Sequence, residues 1–148
     1  MKRISLLITY YLLLTLFSCK TEEGLTPKRN VTLNKTYTTE SGLQYMFTEI
    51  GEGAQVKSGD NVTVHYIGKL TGGKEFDNSY KRGTPFTFTV GEGKVIKGWD
   101  EGLALLNIGD KAVLTIPSQL GYGPMEIPGV IPANSTLIFE VELLNITQ

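Results

Sequence analysis

Cysteine, histidine and tryptophan are nearly missing from this chain, whose 148 residues hold one of each. The single cysteine, Cys19, excludes an internal disulfide framework. The single histidine, His65, makes no metal site without clustered partners, and none gather around it, so neither a metal nor another cofactor is expected. A surplus of either charge is also missing. Lys and Arg number 14 against 15 Asp and Glu, and no basic run marks a nucleic-acid surface, so no nucleic-acid partner is expected. No apolar run reaches the ~20 residues that a membrane-spanning helix needs. Gly91-Glu92-Gly93 lacks the further glycine and the lysine of a phosphate-binding loop and reads as a turn.

Glycine, by contrast, is plentiful at 17 residues, and apolar residues alternate with polar ones in several separate runs. That combination favours a β-rich fold with tight turns over a helical bundle. Leu43, Tyr45 and Phe47 alternate along one run; Val62, Val64 and Tyr66 along a second; Phe86, Phe88 and Val90 along a third. Ala112, Leu114 and Ile116, and then Leu137, Phe139, Val141 and Leu143, complete the inward set. Trp99, Leu103 and Leu106 are spaced by four and three, one face of a short helix with Asp100 and Glu101 in its first turn. Residues Pro117 to Ala133 form a long loop rich in Pro and Gly, of the length that usually carries function. The expected architecture is α+β: a five-stranded antiparallel half-barrel sheet wrapped around one short helix.

The first 40 residues read differently. Lys2 and Arg3 precede an apolar stretch from Ile4 to Phe17 that is short for an anchor and suits a signal segment. It ends in Leu16-Phe17-Ser18-Cys19, which resembles a bacterial lipobox, although Phe17 is larger than the residue usual there. That resemblance implies cleavage before Cys19, acylation of the cysteine and a membrane-held, extracytoplasmic protein of the bacterial cell envelope, periplasmic or surface-exposed. Several acyl chains hold a protein where one does not. The expected organisation is a lipoprotein signal peptide over 1–18, a polar tether over 19–40 and a folded domain over 41–148. Glu22-Glu23 resembles the acidic surface-export signal of some lipoproteins and reads equally as part of a solvated linker.

The folded part carries a series of short words in order: Val64-His65-Tyr66-Ile67-Gly68, Gly73-Lys74-Glu75-Phe76-Asp77-Asn78-Ser79, Pro85-Phe86, Val95-Ile96-Lys97-Gly98-Trp99-Asp100-Glu101-Gly102, Tyr122-Gly123, Ile131-Pro132-Ala133-Asn134 and Leu137-Ile138-Phe139-Glu140-Val141. Together they resemble the FKBP-type peptidyl-prolyl cis-trans isomerases over nearly everything from Gly42 to Ile146. The resemblance implies rotation about an Xaa-Pro bond in an apolar pocket, with no nucleophile and no metal. It implies catalytic roles for Tyr66, Phe76, Asp77, Trp99, Tyr122 and Phe139, with Trp99 as the floor under the proline ring. Arg82, Phe86, Val95, Ile96 and Ile131 are implied as substrate-binding residues. The Ile96 N–H and the Tyr122 hydroxyl are implied as donors to substrate carbonyls. Asp77 is implied as a carboxylate held by Tyr66 and Arg82 that orients the pocket and transfers no proton.

His65 falls on the face opposite Tyr66 and reads as structural or exposed. The implied partners are proline-containing polypeptides, especially exported ones, and macrolide inhibitors of the FK506 and rapamycin kind. No helical dimerisation arm stands between Cys19 and Ser41, so a monomer is expected. The alternative is a non-enzymatic chaperone or binding module on the same fold, against which stand the aromatic set, Asp77 and the lack of a long insertion between Thr71 and Phe86. The long loop departs from the family pattern: Glu126 stands where glycine is common, and Ile127 where some members place histidine. Met125 and Ile127 there point to an apolar preference for the residue before proline.

Overall fold

Buried and half-buried residues alternate along residues 61–68, and the strand Asn61–Leu70 that holds them pairs with three others. A computed structural model describes residues 29–148. The stretch read as a signal segment, Cys19, Glu22-Glu23 and the stretch read as tether as far as residue 28 lie outside them. The unit spanning Val31–Gln148 contains seven strands and two short helices: β1 (Thr36–Thr38), β2 (Gln44–Glu49), β3 (Asn61–Leu70), β4 (Glu75–Asn78), α1 (Ser79–Arg82), β5 (Phe86–Thr89), α2 (Lys97–Leu103), β6 (Lys111–Ile116) and β7 (Leu137–Thr147). The sheet runs β1-β2-β6-β7-β3-β4, with β5 also on β3, and every pairing is antiparallel.

The α+β architecture stands, but the sheet has seven strands and not five. Two local causes account for the difference. After β3 the chain returns along its free edge as β4, which stops at Asn78. The Asn78 side chain accepts the Lys81 N–H as the N-cap of α1, and Gly83 in the left-handed region (φ 68) ends that helix. The chain then rejoins β3 further along its edge as β5, pairing Val62 with Phe88 and Val64 with Phe86. The other addition is β1, inside the stretch read as tether. Its Tyr37 stacks on Tyr45 of β2, ring centroids 5.3 Å apart, and takes the Thr32 N–H on its hydroxyl. One aromatic pair and three ladder positions are enough to extend the sheet past a segment too polar to look like a strand.

The inward residues of β2, β3, β6 and β7 close over α2. This helix lies close against β6 because its inner face is glycine: a Cβ on Gly98 would stand 2.5 Å from Ile116 Cγ2, and one on Gly102 would stand 2.7 Å from Leu114 Cδ1. Trp99, Leu103 and Leu106 are all buried, as their spacing predicts, although the α-helix itself ends at Leu103 and tighter turns carry the chain on to Asn107. Phe86 is the exception on the inward face of β5. It is 38% exposed because β5 pairs only with β3 and leaves it at the open edge of a cleft.

Candidate functional site

The cleft opens at the end of the half-barrel where α2 begins, and measures about 260 Å³. Strands supply Tyr66 from β3, Phe76 and Asp77 from β4, Phe86 from β5 and Phe139 from β7. The turn into α2 supplies Lys94, Val95 and Ile96, the helix supplies Trp99, and the long loop supplies Tyr122. A larger recess of about 420 Å³ lies between Thr71–Lys74 and Pro132–Thr136. It has no aromatic wall, so a flat apolar ring has nothing there to stack on.

Trp99 forms the floor and is boxed by rings. Tyr66 stands edge-on to it at 4.9 Å and 89°, Phe139 at 5.2 Å and 85°, and Phe86 at 6.0 Å and 69°; Phe88 backs it at 5.6 Å. Edge-to-face contacts of this kind contribute ~0.5–1.5 kcal/mol each beyond area burial. They therefore fix the rotamer of the indole as well as its depth. Gly68 makes the wall possible: a Cβ there would sit 2.7 Å from the Phe76 ring and 2.9 Å from the Phe139 ring. Those two rings meet edge-on at 5.6 Å.

The polar side of the cleft is a closed triangle. The Tyr66 hydroxyl donates to Asp77, the Arg82 guanidinium pairs with Asp77, and Arg82 Nη2 donates to the Tyr66 oxygen at 3.0 Å. The Asn78 N–H adds a fourth contact, at 2.8 Å to Asp77 Oδ1. The Asp77 and Arg82 side chains are 38% and 45% exposed, so water screens the pair and its worth lies in orientation more than in energy. Arg82 does not line the cleft; it reaches the site only through Asp77 and Tyr66.

The rim is held from the helix. Asp100 accepts the Gly91 N–H on Oδ1 at 2.9 Å and the Gly93 N–H on Oδ2 at 3.0 Å. Both glycines have positive φ, which other residues rarely adopt. The turn therefore approaches α2 closely and delivers Val95 and Ile96 to the cleft. The Ile96 carbonyl accepts from Trp99 N at 2.9 Å, while the Ile96 N–H has no partner among the described residues.

Of the residues singled out from sequence, Tyr66, Phe76, Asp77, Phe86, Val95, Ile96, Trp99, Tyr122 and Phe139 all line this one cleft. Ile131 does not. It is 2% exposed, bridges Ile127 through two backbone hydrogen bonds, and is the residue of the long loop that packs into the core. Burial under that bridge, rather than the cleft, explains its apolar character. Lys94 lines the cleft and was missed, because a lysine in a Gly-rich turn carries no periodic signal. The long-loop departure is ordered by turns: Met125 N donates to Tyr122 O at 3.2 Å and Asn134 N to Gly123 O at 2.7 Å, leaving Met125 67% exposed.

The chain matches the model of the family described as FKBP-type peptidyl-prolyl cis-trans isomerase over residues 52–144. It is 58% identical over 106 residues to the FK506-binding protein 1A of Neurospora crassa, covering 71% of this chain and 88% of that one. It is 51% identical over 108 residues to a peptidyl-prolyl cis-trans isomerase of Schizosaccharomyces pombe, covering 72% and 96%. Among solved structures, AtFKBP13 superposes with a TM-score of 0.73 at 36% identity, covering 76% of this chain and 99% of that one. FkpA from Escherichia coli superposes with a TM-score of 0.72 at 46% identity over 77% of this chain, which spans about half (52%) of FkpA's length. A half-barrel closed on a glycine-faced helix, an aromatic box around its one tryptophan and this degree of identity agree: the chain belongs to the FKBP-type peptidyl-prolyl cis-trans isomerase family.

Proposed function

We propose that the cleft takes up an Xaa-Pro segment of a polypeptide and speeds its cis-trans rotation, and that the enzyme works on exported proteins from a lipid anchor at Cys19. The observation that carries the catalytic half is the tryptophan floor under aromatic walls, with Asp77 held on the polar side by Tyr66 and Arg82. Rotation faces a barrier of ~18–20 kcal/mol because the planar amide loses its resonance as it twists. No bond breaks, so no nucleophile is needed. The planar amide is more charge-separated than the twisted one. Aromatic walls therefore solvate the ground state less well than water does, and disfavour the transition state less.

Each residue then has a role. The proline ring lies on Trp99 between Tyr66, Phe86 and Phe139. The free Ile96 N–H and the Tyr122 hydroxyl donate to substrate carbonyls, and Phe76 and Val95 close the edges. Asp77, held by Tyr66 and Arg82, sets the polar side without exchanging a proton. The same aromatic box suits a macrolide inhibitor of the FK506 kind.

The anchor reading rests on Lys2, Arg3, the apolar stretch to Phe17 and the position of Cys19 at its end. It makes the protein a monomeric lipoprotein of a bacterial envelope, with the polar residues after Cys19 as its tether.

A proline-peptide exchange assay on the full chain tests the catalytic half. Uncatalysed exchange takes on the order of tens to hundreds of seconds, and a protein that leaves this rate unchanged is not an isomerase. For the anchor, a Cys19→Ala chain should move from the membrane to the soluble fraction of a bacterial host, whereas equal membrane retention rules out the lipid. The Asp100 clamp is a further target. Asp100→Ala frees the Gly91 and Gly93 N–H groups and loosens the rim, so macrolide affinity should fall about fivefold, ~1 kcal/mol, with little change in melting temperature. Unaltered affinity by calorimetry assigns the clamp to stability alone.

A further inference from the structure

The β3–β4 ladder pairs Gly68 with Asp77 and Ile67 with Asn78. The next rung in that register would set Tyr66 opposite Ser79. By then β4 has ended, since Asn78 caps α1 and Ser79 opens it. The backbone of Tyr66 on this side therefore meets no strand. It meets the Ser79 side chain instead: Tyr66 N donates to Ser79 Oγ at 2.7 Å, and Oγ lies 3.2 Å from the Tyr66 carbonyl oxygen. Ser79 is fully buried, with 0% exposure. Its Oγ has a third neighbour, His65 Nδ1 at 2.8 Å.

A hydroxyl has one hydrogen and two lone pairs. Where His65 Nδ1 is bare it accepts, the Ser79 hydrogen points to the imidazole and the Tyr66 carbonyl receives nothing from it. Where Nδ1 carries a hydrogen it donates to Oγ, and the serine hydrogen is released to the Tyr66 carbonyl. Each state uses the same three atoms with the serine hydrogen turned differently.

The geometry points to Ser79 as a positioning residue for the cleft: its hydroxyl replaces the missing ladder rung at Tyr66, holds the tyrosine that carries Asp77 and Arg82, and takes its orientation from whether His65 Nδ1 carries a hydrogen. The catalytic consequence rests on the isomerase reading above; the hydrogen-bond switch does not.

The charged and titratable surroundings of His65 are few. From α1, Tyr80 stacks on its ring at 4.3 Å and 18°. From β7, Glu142 stands opposite in register and accepts the Tyr80 hydroxyl at 2.6 Å. From β6, Lys111 lies 3.9 Å from Glu142. Partial burial, then Glu142, and more weakly Glu140, push the Tyr80 phenol up to about 12, so Tyr80 stacks on His65 as a neutral ring.

The test is nuclear magnetic resonance on the isotope-labelled full chain, together with kinetics. In the wild type, the Tyr66 amide should exchange with solvent as slowly as the paired amides of β3, and the Tyr66 carbonyl shift should follow the His65 Nδ1 shift as pH is varied. In Ser79→Ala, Tyr66 amide exchange should quicken at least about tenfold, and the carbonyl should stop following the His65 Nδ1 shift. The kcat/KM for proline-peptide exchange should fall about tenfold, and Ser79→Thr should recover most of it. A serine that merely fills space gives no link between His65 and the Tyr66 carbonyl, so wild-type independence of the two overturns the proposal. A folded Ser79→Ala with wild-type kcat/KM overturns it as well. If Ser79→Ala does not fold, the two wild-type measurements decide alone. If the wild type shows no proline exchange at all, the isomerase reading falls, and the amide and carbonyl measurements still decide the role of Ser79.

Discussion

Trp99→Leu should abolish most of the proline-exchange activity and lower macrolide affinity by at least about tenfold, ~1.4 kcal/mol or more. The indole is the floor of the cleft and is touched by four aromatic rings. Leucine keeps part of the buried volume but offers no flat surface for a pyrrolidine ring to lie on, and it loses the edge-to-face contacts that align Tyr66 and Phe139. The effect on stability should be smaller than on function. Truncating a buried tryptophan to alanine typically costs ~3–5 kcal/mol. Leucine refills some of that space, and the buried indole N–H has no hydrogen-bond partner among the described residues, so its removal relieves an unsatisfied donor. A net loss of ~2 kcal/mol, a Tm drop of roughly 5–10 °C, is expected by calorimetry. A variant that melts this much lower yet binds macrolide as the wild type does would take Trp99 out of the site.

Gly98→Val should be the most damaging change on the helix. Its Cβ would stand 2.5 Å from Ile116 Cγ2 and 2.9 Å from both Cδ1 and Cγ1. Removing a helical glycine gains at most ~1 kcal/mol in propensity. Forcing apart a packed helix and strand costs ~1–3 kcal/mol for small additions, and valine adds two further methyl groups. Sterics therefore win, by about 3 kcal/mol, and α2 should lift from β6 and carry Trp99 out of its box. Gly102→Ala makes the useful contrast. Its added Cβ meets Leu114 Cδ1 at 2.7 Å, the mobile end of a side chain, so a shift of one rotamer relieves it and the net change should stay within ~1 kcal/mol. Denaturant melts of the two variants check this ordering; equal losses would mean that α2 tolerates a larger gap from the sheet than its glycines imply.

Much of the molecule is legible in the chain because two periods carry the information. Alternation along β2, β3, β6 and β7 fixed which residues face inward, and the four-and-three spacing of Trp99, Leu103 and Leu106 fixed the buried face of α2. Those signals are written by the hydrophobic effect, which acts on each residue wherever its partner lies. The site was legible through family words and not through period. Period alone makes Phe86 and Phe139 equally inward, yet one is 38% exposed and the other 5%, since β5 pairs only with β3 while β7 lies between β6 and β3. Ile131, implied as a cleft residue by the family words, is 2% exposed and belongs to the core cluster, which neither period nor word reveals.

By itself, then, the sequence determined an antiparallel half-barrel on a short helix and assembled most of the aromatic cleft. Tertiary structure alone decided the strand count, the absence of Ile131 from the cleft and the presence of Lys94 in it. It alone gave Asp100 two glycine N–H groups to hold and Ser79 the place of a missing rung. The reason is physical. Burial is a property that a side chain carries along the sequence, while a hydrogen bond between Ser79 and Tyr66, or a 2.5 Å limit between Gly98 and Ile116, belongs to two residues that meet only after the chain has folded.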